Sequence, residues 1–83
     1  MTPELINKFL ETKKILGSPV KIEFKKRNAV TGLFVKVSDY DELRLKNFWR
    51  IVPQSNIEQW KKTHDINLVR MFNGAEFTNL SAL

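Results

Sequence analysis

The sequence contains no cysteine. Disulfides, thiolate metal sites, redox motifs and cysteine nucleophiles are excluded together, so stability has to come from packing. Glycine is almost as scarce: Gly17, Gly32 and Gly74 stand singly, and no glycine-rich loop can cradle a pyrophosphate. His64 is the one histidine. Its neighbours Thr63 and Asp65 lie on an irregular segment, where adjacent residues rarely form a triad, and a single imidazole among scattered carboxylates offers no metal-ligand spacing. Asp39, Asp41 and Glu42 lack the glycine and the distant glutamate of a calcium loop. No apolar run approaches the roughly 20 residues of a membrane span, and Met1-Thr2-Pro3-Glu4 has neither a basic nor an apolar leader character. At 83 residues the chain is also far shorter than the roughly 200 that a nucleotide-binding unit with a substrate domain needs. The expectation is a cytoplasmic, non-enzymatic protein with no cofactor, no metal and no membrane association.

What is present is globular in composition: 42% hydrophobic, 11% aromatic and 28% charged residues. Lys and Arg number 14 against 9 Asp and Glu, a net charge of +5, which favours polyanionic partners such as nucleic acid. So small a chain buries only about 60% of its unfolded surface, and self-association is a natural supplement. No internal repeat or linker divides it, and residues 1–83 read as a single domain.

The spacing predicts a helix over 3–16, with Thr2 as N-cap, Pro3 at the first helical position and an apolar stripe of Leu5, Ile6, Phe9, Leu10, Ile15 and Leu16. Glu4 and Glu11 spoil any basic amphipathic pattern, so this helix is expected to pack on a sheet. From Val20 the period changes to two: Val20, Ile22 and Phe24 alternate with Lys21, Glu23 and Lys25. A turn at Lys26-Arg27-Asn28 leads to a second strand through Val30, Gly32, Phe34 and Val37, where Gly32 marks a bend or bulge. After an acidic turn at 38–42, Leu43 and Leu45 predict a third strand, and Phe48, Trp49, Ile51 and Val52 a fourth. Residues 53–60 read as a tight turn into a fifth strand from Ile57 to Lys61, or as a short helix capped by Ser55; the turn is favoured. For residues 66–83 two readings stand. One is a short helix capped by Asp65 and ended by Asn73-Gly74, with Leu68, Val69 and Phe72 on one face; the other is a hairpin turning at Asn73-Gly74.

An N-terminal helix before a five-strand meander, with Pro19-Val20-Lys21-Ile22-Glu23-Phe24, Gly32, Asp39 and Leu45-Lys46-Asn47, resembles the small Sm-like barrel, in particular the bacterial Hfq arrangement. The Ile51 to Trp60 run is similar to the strand, turn, strand passage of SH3-like and Sm-like barrels. The fold expected is therefore mainly β within the α+β class: an N-terminal helix, a five-strand antiparallel small barrel, and a short C-terminal helix or hairpin. The chain departs from those families in their RNA-contacting signatures. Pro53-Gln54-Ser55 stands where the bacterial proteins carry Lys-His, the Ile-Arg-Gly signature is missing, and Asp39 lies one residue further from Gly32. Segments 47–53 and 66–77 also resemble a group of short bacterial proteins of no established function, some of them labelled short-chain dehydrogenase. That label fails here, since there is no glycine-rich loop after a strand and no tyrosine and lysine on one helical turn.

Lys25-Lys26-Arg27-Asn28 is the densest cationic cluster, and residues 21–30 hold four basic residues and one acid, +3 of the total +5. At a hairpin tip such cations contact phosphates while the asparagine amide reaches a base or the backbone. The blander reading is a solvated turn whose charge discourages edge pairing. Lys46, Trp49 and Arg50, with Asn47 and Phe48 between them, put aromatic and cationic groups side by side, as stacking recognition of single strands uses. Alternation sends Phe48 and Trp49 to opposite faces, so one of the two belongs in the core. Trp60 with Lys61-Lys62 repeats the pattern more weakly. The candidate nucleic-acid-binding residues are Lys25, Lys26, Arg27, Asn28, Lys46, Trp49 and Arg50. The functional expectation is a non-catalytic module binding RNA or another polyanion. The alternative is a protein-interaction or self-assembly domain in which exposed Trp49, Phe72 or Phe77 buries in a partner or a second copy. Whether the basic turn and Trp49 share one face decides whether there is a site at all, and the oligomeric state of Trp49→Ala separates the two readings.

Overall fold

Thr2 Oγ1 accepts the Leu5 N–H at 3.3 Å and Pro3 opens the first turn, so α1 (Pro3–Lys13) begins where its cap residues direct. The architecture is that of a computed structural model, which describes residues 1–13 and 17–83. The expected continuation of the helix through Ile15 and Leu16 lies outside the described residues. Within α1, Ile6 and Leu10 are buried and Phe9 half-buried, whereas Leu5, on the same predicted stripe, is 54% exposed.

The chain is α+β, an N-terminal helix with a five-stranded antiparallel sheet that is not closed into a barrel. β1 (Pro19–Phe24) pairs on one side with β2 (Val30–Phe34) and on the other with β5 (Phe77–Ala82). β3 (Phe48–Pro53) lies beside β2, and β4 (Arg70–Asn73) beside β3, giving the order β4-β3-β2-β1-β5. Gly32 shows no register shift in either pairing. A Cβ there would meet Ile51 Cγ2 at 2.6 Å and the Val52 carbonyl oxygen at 2.9 Å, so the glycine serves close approach of β3 instead of a bulge.

Three expectations are corrected. Residues 43–46 do not form a strand: α2 (Tyr40–Leu45) is a short helix with Asp41 and Glu42 in its first turn and Arg44 in its last, charges that suit the helix dipole. Asn47 ends it in the left-handed region, φ 63°, a conformation asparagine tolerates better than most residues. Residues 57–61 are not a strand either. A 3-10 turn at Gln54–Asn56 runs into α3 (Ile57–Thr63), with Asn56 and not Ser55 at the N-cap and left-handed His64 at its C-terminal end. The C-terminal stretch is neither a helix nor a hairpin. Asp65 accepts the Asn67 N–H to start a 3-10 turn at Ile66–Leu68, a second 3-10 turn stands at Gly74–Glu76, and β4 and β5 lie at opposite edges of the sheet.

The link between those edges shapes the molecule. Only Gly74–Glu76 separates β4 from β5, four Cα steps that reach about 14 Å at most. The sheet must therefore curl until its two edges converge at that end. One face packs against α1 and holds Ile6, Leu10, Val20, Ile22, Phe34, Trp49, Ile51, Phe77 and Leu80. The other carries Leu33, Val35, Val52 and Val69 under Ile57 and Trp60 of α3.

Candidate functional site

The β1–β2 turn projects Lys25, Lys26, Arg27 and Asn28, and all four are exposed. The turn is tied down at its base, where the Lys25 N–H donates to the Glu76 carbonyl at 2.9 Å. A register shift between Glu23 and Phe24 against β5 sets Phe24 opposite Phe77, and the convergence of the two edges brings Phe24 to Phe72 of β4, ring centroids 5.8 Å apart. Arg27 folds back over this pair. Its Cζ lies 5.0 Å from the Phe24 centroid and 5.7 Å from that of Phe72, an attraction between guanidinium and ring faces worth about 0.5–1 kcal/mol at an exposed site.

These groups line an open cleft of about 290 Å³ at the seam, together with Lys26, Met71, Asn73 and Glu76. Met71 is 53% exposed. Behind the cleft the aromatic contacts continue inward: Phe24 to Phe77 at 5.3 Å, Phe77 to Phe34 at 6.5 Å, Phe34 to Trp49 at 6.1 Å and Trp49 to Tyr40 at 6.1 Å. The wall of the cleft is thus the outer end of the core.

The other half of the sequence-derived constellation is elsewhere and differently engaged. Trp49 is 1% exposed, inside the core, and donates its Nε1–H to Asn47 Oδ1 at 2.9 Å. No ring face is open for stacking, because alternation turned Trp49 inward and left Phe48 half-buried on the opposite side. Arg50 is held by Asp39 in a two-pronged ion pair, Nε to Oδ1 at 3.0 Å and Nη2 to Oδ2 at 2.8 Å. The hydrogen bonds from Arg50 hold the Asp39 carboxyl below its ordinary 3.8, against the opposing effect of burial. Lys46 is exposed at the end of α2. Of the seven candidates only Lys26 and Arg27 line the cleft. Phe77, proposed as an exposed contact, is 1% exposed and belongs to the core, and Phe72 is half-buried.

Sequence reasoning missed Phe24, Met71, Asn73 and Glu76 as members of this site. Phe24, next to Lys25 in the sequence, was the one local signal. The others arrive from the far sheet edge through pairings that no local pattern announces. Among the described residues no three His, Asp or Glu side chains come together to hold a metal ion, and no helix is long and apolar enough to cross a membrane. Comparison with protein-family models, with curated proteins and with solved structures returns no match.

Proposed function

We propose that this protein is a non-catalytic binding module that takes single-stranded nucleic acid, RNA foremost, at the seam between the β1–β2 turn and β4. The observation that carries the reading is the exposed Lys25-Lys26-Arg27 turn, whose Arg27 guanidinium is spread over Phe24 and Phe72. Cations at a turn neutralise phosphates, and a flat guanidinium fixed over rings offers a plane on which a base stacks. The curled order of strands, with the last returning beside the first, supports treating the sheet as an open relative of the small Sm-like and SH3-like barrels. On this reading the protein works in the cytoplasm, where a chain without thiols is indifferent to reducing conditions.

The test is a panel of fluorescently labelled single-stranded RNAs titrated at about 50 mM and about 200 mM salt. With three phosphates neutralised, the slope of log K against log salt is about −2, roughly a twentyfold loss between those concentrations. Arg27→Lys keeps the charge but not the plane, so it lowers affinity while leaving that slope unchanged. Absence of binding at the lower salt ends the proposal.

A second reading has one specific observation behind it: β4 is an edge strand with Met71 half-exposed, which suits strand addition by another copy or by a protein partner. Sedimentation of the wild type and of Met71→Lys separates the two readings. A dimer abolished by Met71→Lys, with no RNA binding in the wild type, would replace the first with the second.

A further inference from the structure

The cleft contains an acid that a plain phosphate site would not want. Glu76 lines it beside Lys26 and Arg27, yet among the described residues its carboxylate has no ion-pair partner within 4.0 Å. A carboxylate repels phosphate. It is useful in an anion-binding cleft when the ligand also presents donors, and a pair of adjacent N–H groups suits its two oxygens best.

Asn73 narrows the choice. Its Oδ1 accepts the Ala75 N–H at 2.9 Å, which fixes the amide so that Nδ2 is the end left to donate. The cleft therefore offers a stacking plane at Arg27, a two-oxygen acceptor at Glu76 and a donor at Asn73. A base matching that set carries two neighbouring donors and an acceptor along one edge. Guanine does, with N1–H and the N2 amino group followed by O6. Adenine and cytosine present one amino donor beside an acceptor nitrogen, and uracil has a single N–H between two carbonyls, so none of them satisfies both carboxylate oxygens.

Resting on the nucleic-acid reading above, we infer that the seam cleft is selective for an unpaired guanine, stacked on the outer plane of Arg27 and read by Glu76 and Asn73. The neighbouring Lys25 and Lys26 then hold the flanking phosphates. Specificity and charge are thereby divided between the two sides of the seam: the turn attracts the strand, and the end of β4 with its link to β5 selects the base.

The experiment uses short oligouridylates carrying one central guanine, adenine, cytosine, inosine or uracil, titrated by fluorescence anisotropy at low salt against the wild type and Glu76→Gln. The expected result is about tenfold tighter binding of the guanine strand. Inosine, which lacks the N2 amino group and keeps a single N–H beside O6, falls to the level of uracil. Glu76 is exposed, and among the described residues it serves the fold through its backbone oxygen and not its carboxylate, so Glu76→Gln remains folded by circular dichroism and binds all five strands alike. Equal binding of all five by the wild type overturns the guanine assignment while leaving the nucleic-acid reading intact. So does a Glu76→Gln variant that binds every strand more tightly by one common factor, since that is simple removal of a repelling charge. Failure of every strand to bind overturns the nucleic-acid reading itself.

Discussion

At Gly74 the side chain is absent because three parts of the molecule meet there. A Cβ would run into Asn47 Oδ1, into Ile6 Cδ1 at 2.6 Å and into Trp49 Nε1 at 2.7 Å, so α1, the loop after α2 and β3 all close on this point. Gly74→Ala is expected to cost about 1–3 kcal/mol, as overpacking of a filled core does, read as a lower urea midpoint at unchanged slope. A neutral substitution would show that the junction is looser than these contacts require. Asp39 makes a different kind of residue-scale statement. Its folded carboxyl ionises below the ordinary 3.8 because Arg50 donates to it. The pair therefore adds stability above that value and loses it as pH falls through the lower, folded value. Asp39→Asn should lower the denaturation midpoint at pH 7, and the gap from wild type should close on acidification below 3.8. A gap of constant size down to pH 2 would remove the ion pair as its cause.

The helices and strands differ in how much of each a local pattern can announce. Thr2-Pro3 announces α1, and the alternation of Val20, Ile22 and Phe24 announces β1, because both signals are made by neighbouring residues. Leu43 and Leu45 alternate just as well, yet they belong to α2 and Leu45 is 79% exposed. The alternation failed there because a strand needs a partner edge, and the edge of β2 is taken by β3 through Leu33 opposite Val52 and Phe34 opposite Ile51. Ile57 and Trp60 are likewise spaced for a helix face over Val52 and Leu33, and that demand comes from the second side of the sheet. The candidate site divides in the same way: its cations were legible as a local run, while the burial of Trp49 and the arrival of Phe72 depend on long-range pairing. Asn47 tests the join between α2 and β3. It donates to the Met1 carbonyl at 2.9 Å and accepts from Trp49, and its φ is positive. Asn47→Gly and Asn47→Ala both leave the Trp49 N–H without this acceptor, so both are destabilised. Alanine also bears the left-handed backbone, which makes it worse than glycine by about 1 kcal/mol in denaturant titration. Equal losses would mean that the side-chain bonds alone hold this turn.

At the scale of the whole molecule one sheet serves two packed layers, and neither is large. The radius of gyration is 11.7 Å, close to the roughly 12 Å expected for a folded chain of this length. Trp49 lies in the layer under α1, and Trp60, on α3 itself, packs onto the layer of the opposite face, and every strand between them contributes side chains to one layer or pairs with a strand that does. Loss of either layer exposes the reverse side of the same five strands. Unfolding is therefore expected to be a single event, as is usual for domains this small. Two single-tryptophan variants make this measurable: Trp60→Phe leaves Trp49 to report the α1 layer, and Trp49→Phe leaves Trp60 to report the α3 layer. In each variant the fluorescence transition in urea should superimpose on the far-ultraviolet circular dichroism transition of that same variant, even though the buried Trp49→Phe change shifts its midpoint further down. A Trp60 signal that melts ahead of the dichroism would mean that α3 undocks on its own. The seam, whose aromatic wall is continuous with the α1 layer, would then keep its shape after the opposite face had opened.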